Sequence, residues 1–292
     1  MGRELAAGPA EYWFDSHDGL RLFSRVYPGP RADAPVVVCL HGLMRTGRDF
    51  EDLAPHLAAR CRVIVPDVRG RGASARDPSF NNYTIPVYLQ DLAALLAGLG
   101  AARVAIIGTS MGGLMAMLLA WQQPALVRGI VLNDVGPEVD PVGLERIRGY
   151  AGRSAPVASW AEAVEQARSI YGAAWPGLSN ARWEVLVRRS YREQAPGVLE
   201  VDTDPMVREP LRDSAGAPVL WPWWGSFARL PMLAIRGEHS DILAAATLER
   251  MQREKPDLVA VTVRNRGHSP LLDEPEALAA IDAFLGALAT RE

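Results

Sequence analysis

Residues 104–122 read VAIIGTSMGGLMAMLLAWQ, a β-branched run that passes into a helical pattern through Gly108-Thr109-Ser110-Met111-Gly112-Gly113. A strand that turns into a helix with no loop between them holds its central residue in a strained backbone conformation. Side chains two positions to either side would collide, hence the glycines at 108 and 112. Ser110 is expected at the N-terminus of that helix, where free N–H groups and the positive end of the helix dipole favour negative charge. The plainer alternative is a serine that caps a helix after an ordinary glycine turn. So short a pattern also arises by chance, and its surroundings must decide.

Those surroundings alternate. Short apolar runs at 36–40, 63–65, 104–107 and 129–132 each end at Gly, Asp or Asn, or one or two residues before one, and amphipathic segments at 49–60, 85–99 and 111–122 lie between them. This is the pattern of parallel strands covered on both faces by crossover helices. Residues 12–15 and 20–27 flank Asp18-Gly19 and predict a hairpin at one edge of the sheet. After Leu132 the alternation stops. Residues 137–230 carry helical stretches at 143–150, 160–171 and 182–192, many Pro and Gly, and six of the eight tryptophans, with no strand-like run until 232–235. A run at 259–263 and a helix at 275–289 then restore the pattern. The expectation is an α/β protein with a mostly parallel sheet, a core of residues 1–136 and 231–292, and a helical insertion at 137–230.

For 292 residues, 49% apolar and 22% charged side chains fit one globular domain, or one with a large insertion. Lys and Arg number 31 against 34 Asp and Glu, a net charge of -3, so nothing draws the chain to nucleic acid or to anionic lipid. Two cysteines, Cys39 and Cys61, cannot build a disulfide framework or a CxxC metal site and read as small buried residues of a cytoplasmic protein. The opening MGRELAAGPAEYWF lacks the pattern of a secretory leader, and no stretch reaches the roughly 18 apolar residues that span a bilayer.

A serine hydroxyl needs a base. Of five histidines, His268 in Arg266-Gly267-His268-Ser269-Pro270 follows the last strand and would emerge at the same sheet edge as Ser110, whereas His17 and His56 fall in a hairpin and a helix. The base in turn needs a carboxylate to hold its tautomer. Asp241, after the run at 232–235, is favoured. Asp134, after the run at 129–132, is the alternative, with turn-capping as its plainer role, and Glu238 is a third choice. His41-Gly42-Leu43-Met44 follows the strand at 36–40, so the backbone N–H groups of Leu43 and Met111 are the expected oxyanion donors. His41 and Met44, with Trp221 and Trp224 of the Trp221-Pro222-Trp223-Trp224 cluster, are the expected pocket residues, although core packing accounts for the tryptophans equally well. Arg182, Arg188, Arg189 and Arg192, interspersed with Glu184 and Glu193, read as a solvated helix face.

Taken together, His41-Gly42, Asp67-Val68-Arg69-Gly70-Arg71-Gly72-Ala73-Ser74, Gly108 to Gly113, Gly237 to Asp241 and Gly267-His268 resemble the α/β-hydrolase fold family over nearly the whole chain. The resemblance implies Ser110 as nucleophile, the aspartate after the seventh sheet strand, Asp241, orienting His268 after the eighth, and a helical cap near 137–230. Relatives include esterases, lactonases, carbon–carbon bond hydrolases and cofactor-free haloperoxidases. Epoxide hydrolases and haloalkane dehalogenases place Asp where Ser110 stands, which disfavours both. Many relatives have His where this chain has Arg71; that loop reads as structural, with Asp67 and Arg69 tying turns together.

The expected activity is a serine esterase on a small to medium apolar ester or lactone, with no metal or organic cofactor, since the chain supplies nucleophile, base and oxyanion donors. Homo-oligomerisation is left open. Two competing readings are a carbon–carbon bond hydrolase of vinylogous diketone acids, which needs a cation for the substrate carboxylate, and a non-catalytic binding protein on the same fold.

Overall fold

A computed structural model describes residues 8–212 and 216–290; residues 1–7, where the leader reading begins, lie outside them. Eight strands form one sheet: β1 (Ala10–Asp15), β2 (Arg21–Tyr27), β3 (Val36–Leu40), β4 (Arg62–Asp67), β5 (Val104–Thr109), β6 (Val127–Asn133), β9 (Met232–Gly237) and β10 (Val259–Val263). Their spatial order is β1-β2-β4-β3-β5-β6-β9-β10. β1 pairs with β2, and β2 with β4, antiparallel; every other neighbour is parallel. The expected edge hairpin closes through Gly19, which takes the positive φ of 81° that a side chain disfavours.

Helices cover both faces. Along β3 the side chains divide by parity: Val38 and Leu40 pack with α2 (Ile85–Gly98) and α3 (Met111–Gln122), while Val37 and Cys39 pack with α1 (Leu53–Ala58) and α10 (Pro275–Ala289). This two-sided burial is why the strand runs read as uninterrupted apolar segments. Cys39 and Cys61 are buried free thiols, and burial pushes both pKa values up. The helix expected over 49–60 is shorter: Thr46 caps a 3-10 turn at Gly47–Phe50, and α1 starts only at Leu53.

Asp67 and Arg69 tie turns together as expected. Asp67 accepts from the Gly47 and Ala73 N–H groups at 2.7 and 3.0 Å. Arg69, fully buried, donates to Asp77 and Asp91 at 2.6 Å and to Asp18 at 2.8 Å.

Between β6 and β9 the chain leaves the sheet. It forms α4 (Pro141–Tyr150), α5 (Trp160–Tyr171), α6 (Asn180–Ser190), the hairpin β7 (Tyr191–Ala195) and β8 (Val198–Val201), and the short helices α7 (Glu209–Arg212) and α8 (Trp221–Trp224). α5, α6 and the hairpin enclose their own apolar cluster around Trp175, Trp183 and Leu199. The hairpin is a departure from the all-helical expectation: β7 reads YREQA and is exposed beyond Tyr191, so it has no apolar alternation to detect. Its cues are Pro196-Gly197, where Gly197 has φ 73°, and the short run VLEV of β8. α9 (Ala245–Glu254) lies between β9 and β10. Among the described residues no helix is long and apolar enough to cross a membrane.

Two glycine substitutions separate close approach from open space. A Cβ on Gly112 would overlap the Leu40 carbonyl, which is backbone and cannot yield, whereas a Cβ on Gly286 in α10 meets nothing within 4 Å. Urea unfolding should therefore place Gly112→Ala about 3 kcal/mol or more below the wild type, and Gly286→Ala about 0.5–1 kcal/mol above it.

Candidate active site

The strand-to-helix turn from β5 into α3 places Ser110 at φ 52° and ψ -115°, the strained geometry that its flanking glycines predict. A Cβ on Gly108 would overlap the Gly112 carbonyl oxygen. The turn is held by Ser110 N–H donating to the Asn133 carbonyl at 3.0 Å and by Gly113 and Leu114 N–H donating back to the Ser110 carbonyl. His268 arrives on the loop after β10. That loop is pinned by Gly267 N–H donating to the Ala174 carbonyl at 2.7 Å and by the Trp175 indole donating to the Ser269 carbonyl at 2.8 Å. His268 Nε2 then lies 2.9 Å from Ser110 Oγ.

The carboxylate behind His268 is Asp134, not Asp241. Asp134 Oδ2 is 2.7 Å from His268 Nδ1, so the ring carries its proton on Nδ1 and presents Nε2 to the serine. Asp134 is wholly buried and also accepts from Gly237 N–H at 2.7 Å and the Ser240 hydroxyl at 2.6 Å. The loop after β9, where sequence placed the acid, supplies donors to it instead. Asp241 turns away and binds Arg146 of α4 bidentately, at 2.5 and 2.8 Å. Burial alone would raise the Asp241 carboxyl, but the Arg146 guanidinium outweighs it and holds the group below the usual carboxylate range. Glu238 is half-exposed and accepts from Asn265 N–H, with no hydrogen bond to His268.

A cavity of about 70 Å³ opens above Ser110 and His268. Leu43 and Met44 border it, as expected, and Met111 follows Ser110 as the first residue of α3. His41 does not border it. Its ring is fully buried, Nδ1–H donates to the Gly42 carbonyl at 2.7 Å, and Nε2 accepts from Val68 N–H at 3.0 Å. Burial lowers its pKa to about 4, so it is a neutral brace for the loop that carries Leu43. Trp221 and Trp224 are also corrected to packing roles: the Trp221 indole donates to Glu138 and its ring lies under Arg250, while Trp224 is buried in the main core. The aromatic wall comes from Tyr150, Tyr171 and Trp175, with Ile147 and Leu186 beside them. Their place depends on how α4 to α6 dock, for which the sequence carries no signal.

The arginines of α6 are not a solvated face throughout. Arg189 is buried and donates to Asp52 at 2.6 and 2.7 Å and to Glu51 at 3.0 Å, and Arg182 reaches Asp52 and Asp273. Arg192 lies on β7, paired with Asp202. In the cavity wall, Arg45 is bound by Asp49 at 2.6 Å and lies over the rings of Tyr171 and Trp175. Among the described residues, His17, Asp18 and Asp91 bring ligand atoms within 4.8 Å of one another, but Arg69 already occupies both carboxylates.

The chain is similar to known proteins over most of its length. The sequence profile described as "Alpha/beta hydrolase family" matches residues 37–281. The chain is 35% identical over 267 residues to a 3-hydroxybutyrate-oligomer hydrolase of Cupriavidus necator, covering 88% of this chain and 90% of that one. It is 25% identical over 258 residues to a 2-(acetamidomethylene)succinate hydrolase of Mesorhizobium japonicum, with the same coverage of 88% and 90%. The crystal structure of an alpha/beta hydrolase from Novosphingobium aromaticivorans matches with a TM-score of 0.90 at 42% identity, covering 96% of this chain and 99% of that one.

The buried His41 has a pH consequence. A depressed native pKa means that the unfolded chain binds a proton that the native chain refuses, so stability is lost as pH falls from the unfolded value near 6.5 towards 4. The loss from this group is about 3 kcal/mol when complete. Imidazole nitrogen shifts should show His41 neutral and protonated on Nδ1 at pH 5; a protonated His41 at that pH would contradict the assignment.

Proposed function

Because the chain belongs to the alpha/beta hydrolase family, we propose that it cleaves a short carboxylic ester or lactone through an acyl-enzyme on Ser110. The observation that carries this reading is the unbroken hydrogen-bond line from Ser110 Oγ to His268 Nε2 and from His268 Nδ1 to Asp134. Ser110 Oγ attacks the ester carbonyl carbon while His268 Nε2 takes the hydroxyl proton, and Asp134 stabilises the resulting imidazolium. The N–H groups of Leu43 and Met111 receive the carbonyl oxygen as it becomes negative. Collapse of the tetrahedral intermediate breaks the bond to the alcohol oxygen, which leaves with the proton from His268. Water, deprotonated by the same imidazole, then releases the acid and restores Ser110. Residues 137–230 act as a cap whose aromatic wall closes over the acyl group.

Two observations narrow the substrate. The cavity of about 70 Å³ is far below the ~300 Å³ or more of sites for drug-sized ligands, which favours a short acyl group. The arginines near it are already paired: Arg45 with Asp49, Arg146 with Asp241, and Arg182 and Arg189 with Asp52. Carbon–carbon cleavage of a diketone acid calls for a cation to take the substrate carboxylate, and the arginines that line the cavity already have their charge balanced by carboxylates, so the ester reading is preferred. Similarity to the 3-hydroxybutyrate-oligomer hydrolase suggests short hydroxyacid esters as the natural class.

Hydrolysis of nitrophenyl esters from acetyl to octanoyl tests this. Turnover should favour acetyl to butyryl and vanish in Ser110→Ala; equal turnover by Ser110→Ala would overturn the mechanism. The acid has its own test: Asp134→Asn should lower kcat by about 10³- to 10⁴-fold, whereas Asp241→Asn should cost less than about tenfold, since it disturbs only the seat of α4. The reverse order would return the role to Asp241.

A further inference from the structure

We propose that Arg71 is a positioning residue for the oxyanion site, a buried cation whose counter-charge appears only when the substrate oxygen becomes negative; this rests on the serine mechanism proposed above. Arg71 is 1% exposed. Its Nε donates to the Leu43 carbonyl at 3.0 Å, and its Nη1 donates to the Arg69 carbonyl at 2.7 Å and the Tyr88 hydroxyl at 3.0 Å. Nη2 has only the Met111 sulfur at 3.9 Å. The guanidinium also lies 5.0 and 5.6 Å from the ring centroids of Tyr88 and Tyr83. Among the described residues no carboxylate hydrogen-bonds or ion-pairs with it. By contrast the buried Arg69 and Arg189 and the partly buried Arg45 each hold at least one carboxylate.

A buried cation without an anion is unfavourable in the resting fold, because the low-dielectric interior returns little of the hydration it loses. Here that cation touches both residues whose N–H groups receive the oxyanion, Leu43 through its carbonyl and Met111 through its side chain. The contact to Leu43 fixes the peptide plane that follows the donor N–H. The same low dielectric makes the positive field at the hole strong at the moment negative charge forms there. The position of the charge is set before substrate arrives, since Arg71 N–H donates to the Val68 carbonyl and Gly72 N–H to the Asp202 carbonyl, both at 3.0 Å. His41 on the same loop cannot substitute for it, because its ring is neutral and fully engaged with backbone. Arg71 also stands where the sequence departs from the family resemblance.

The experiment compares wild type, Arg71→Lys and Arg71→Met on nitrophenyl butyrate, and measures inhibition by butaneboronic acid, which forms an anionic tetrahedral adduct on Ser110, and by butyramide, a neutral carbonyl mimic. Arg71→Met should lower kcat by about 10- to 100-fold, weaken the boronate by a matching factor, and leave KM and butyramide inhibition within about threefold. Arg71→Lys, which keeps the charge, should recover most of kcat and boronate affinity. Unchanged kcat and boronate affinity in Arg71→Met would overturn the proposal, as would equal weakening of both inhibitors, the mark of a merely structural role. If Arg71→Met does not fold, Arg71→Lys decides: retained boronate affinity supports the role of charge, and parallel loss of both inhibitors refutes it. Wild-type turnover that Ser110→Ala does not abolish would remove the serine mechanism itself, whereas Ser110-dependent turnover indifferent to Arg71 would remove only the assignment of Arg71.

Discussion

The close approach of α3 to β3 and β5 is the constraint around which the rest is arranged. Where the Gly112 backbone meets the Leu40 carbonyl, and the Gly108 backbone meets Gly112, there is no room for a single carbon atom. That contact forces the chain to reverse within one residue, and Ser110 carries the strain at φ 52°. Strain of this kind persists only where surrounding structure enforces it. Here the apolar packing of α3 against the sheet and the Ser110 N–H bond to the end of β6 do so. The result is a hydroxyl held at a helix N-terminus.

Around that point three strand ends are drawn together by one buried carboxylate. Asp134 at the end of β6 accepts from Gly237 at the end of β9, from Ser240 in the following loop and from His268 beyond β10. A wholly buried carboxylate is tolerated because each of these donors compensates lost hydration. The neighbouring Asn133 adds a second tie, its amide donating to Thr109 beside the serine and to the Pro270 carbonyl beside the histidine, each at 3.0 Å.

The excursion between β6 and β9 is attached both by apolar packing, with Leu220, Trp224 and Phe227 in the main core, and by charge. Arg189 and Arg182 of α6 converge on Asp52, and Arg146 of α4 on Asp241. Arg45, Arg182 and Arg189 thus border the cavity with carboxylate partners, and the rest of the wall facing Ser110 is mainly aromatic and aliphatic. Arg71 is set apart from them by lacking a carboxylate, and by lying beneath the site rather than at its rim.

The amino-acid sequence by itself determined the class of fold, the strand-to-helix turn at Ser110, the histidine after the last strand and the edge hairpin. These rest on local rules: apolar runs buried on both faces, glycine where no Cβ fits, a turn pair between two short strands. It pointed to Asp241, whereas the structure places Asp134 against His268. Both follow a strand and both precede His268 in the chain, and only the packing of the β9 loop, which turns Ser240 inward and Asp241 out to Arg146, separates them. Likewise, β7 is exposed beyond Tyr191 and has no alternation to read, and Trp221 and Trp224 have the composition of a pocket wall but pack in or against the core. Which side chains surround Ser110 was decided by the docking of α4, α5 and α6, since contacts between segments distant in the chain leave no periodic trace in either segment.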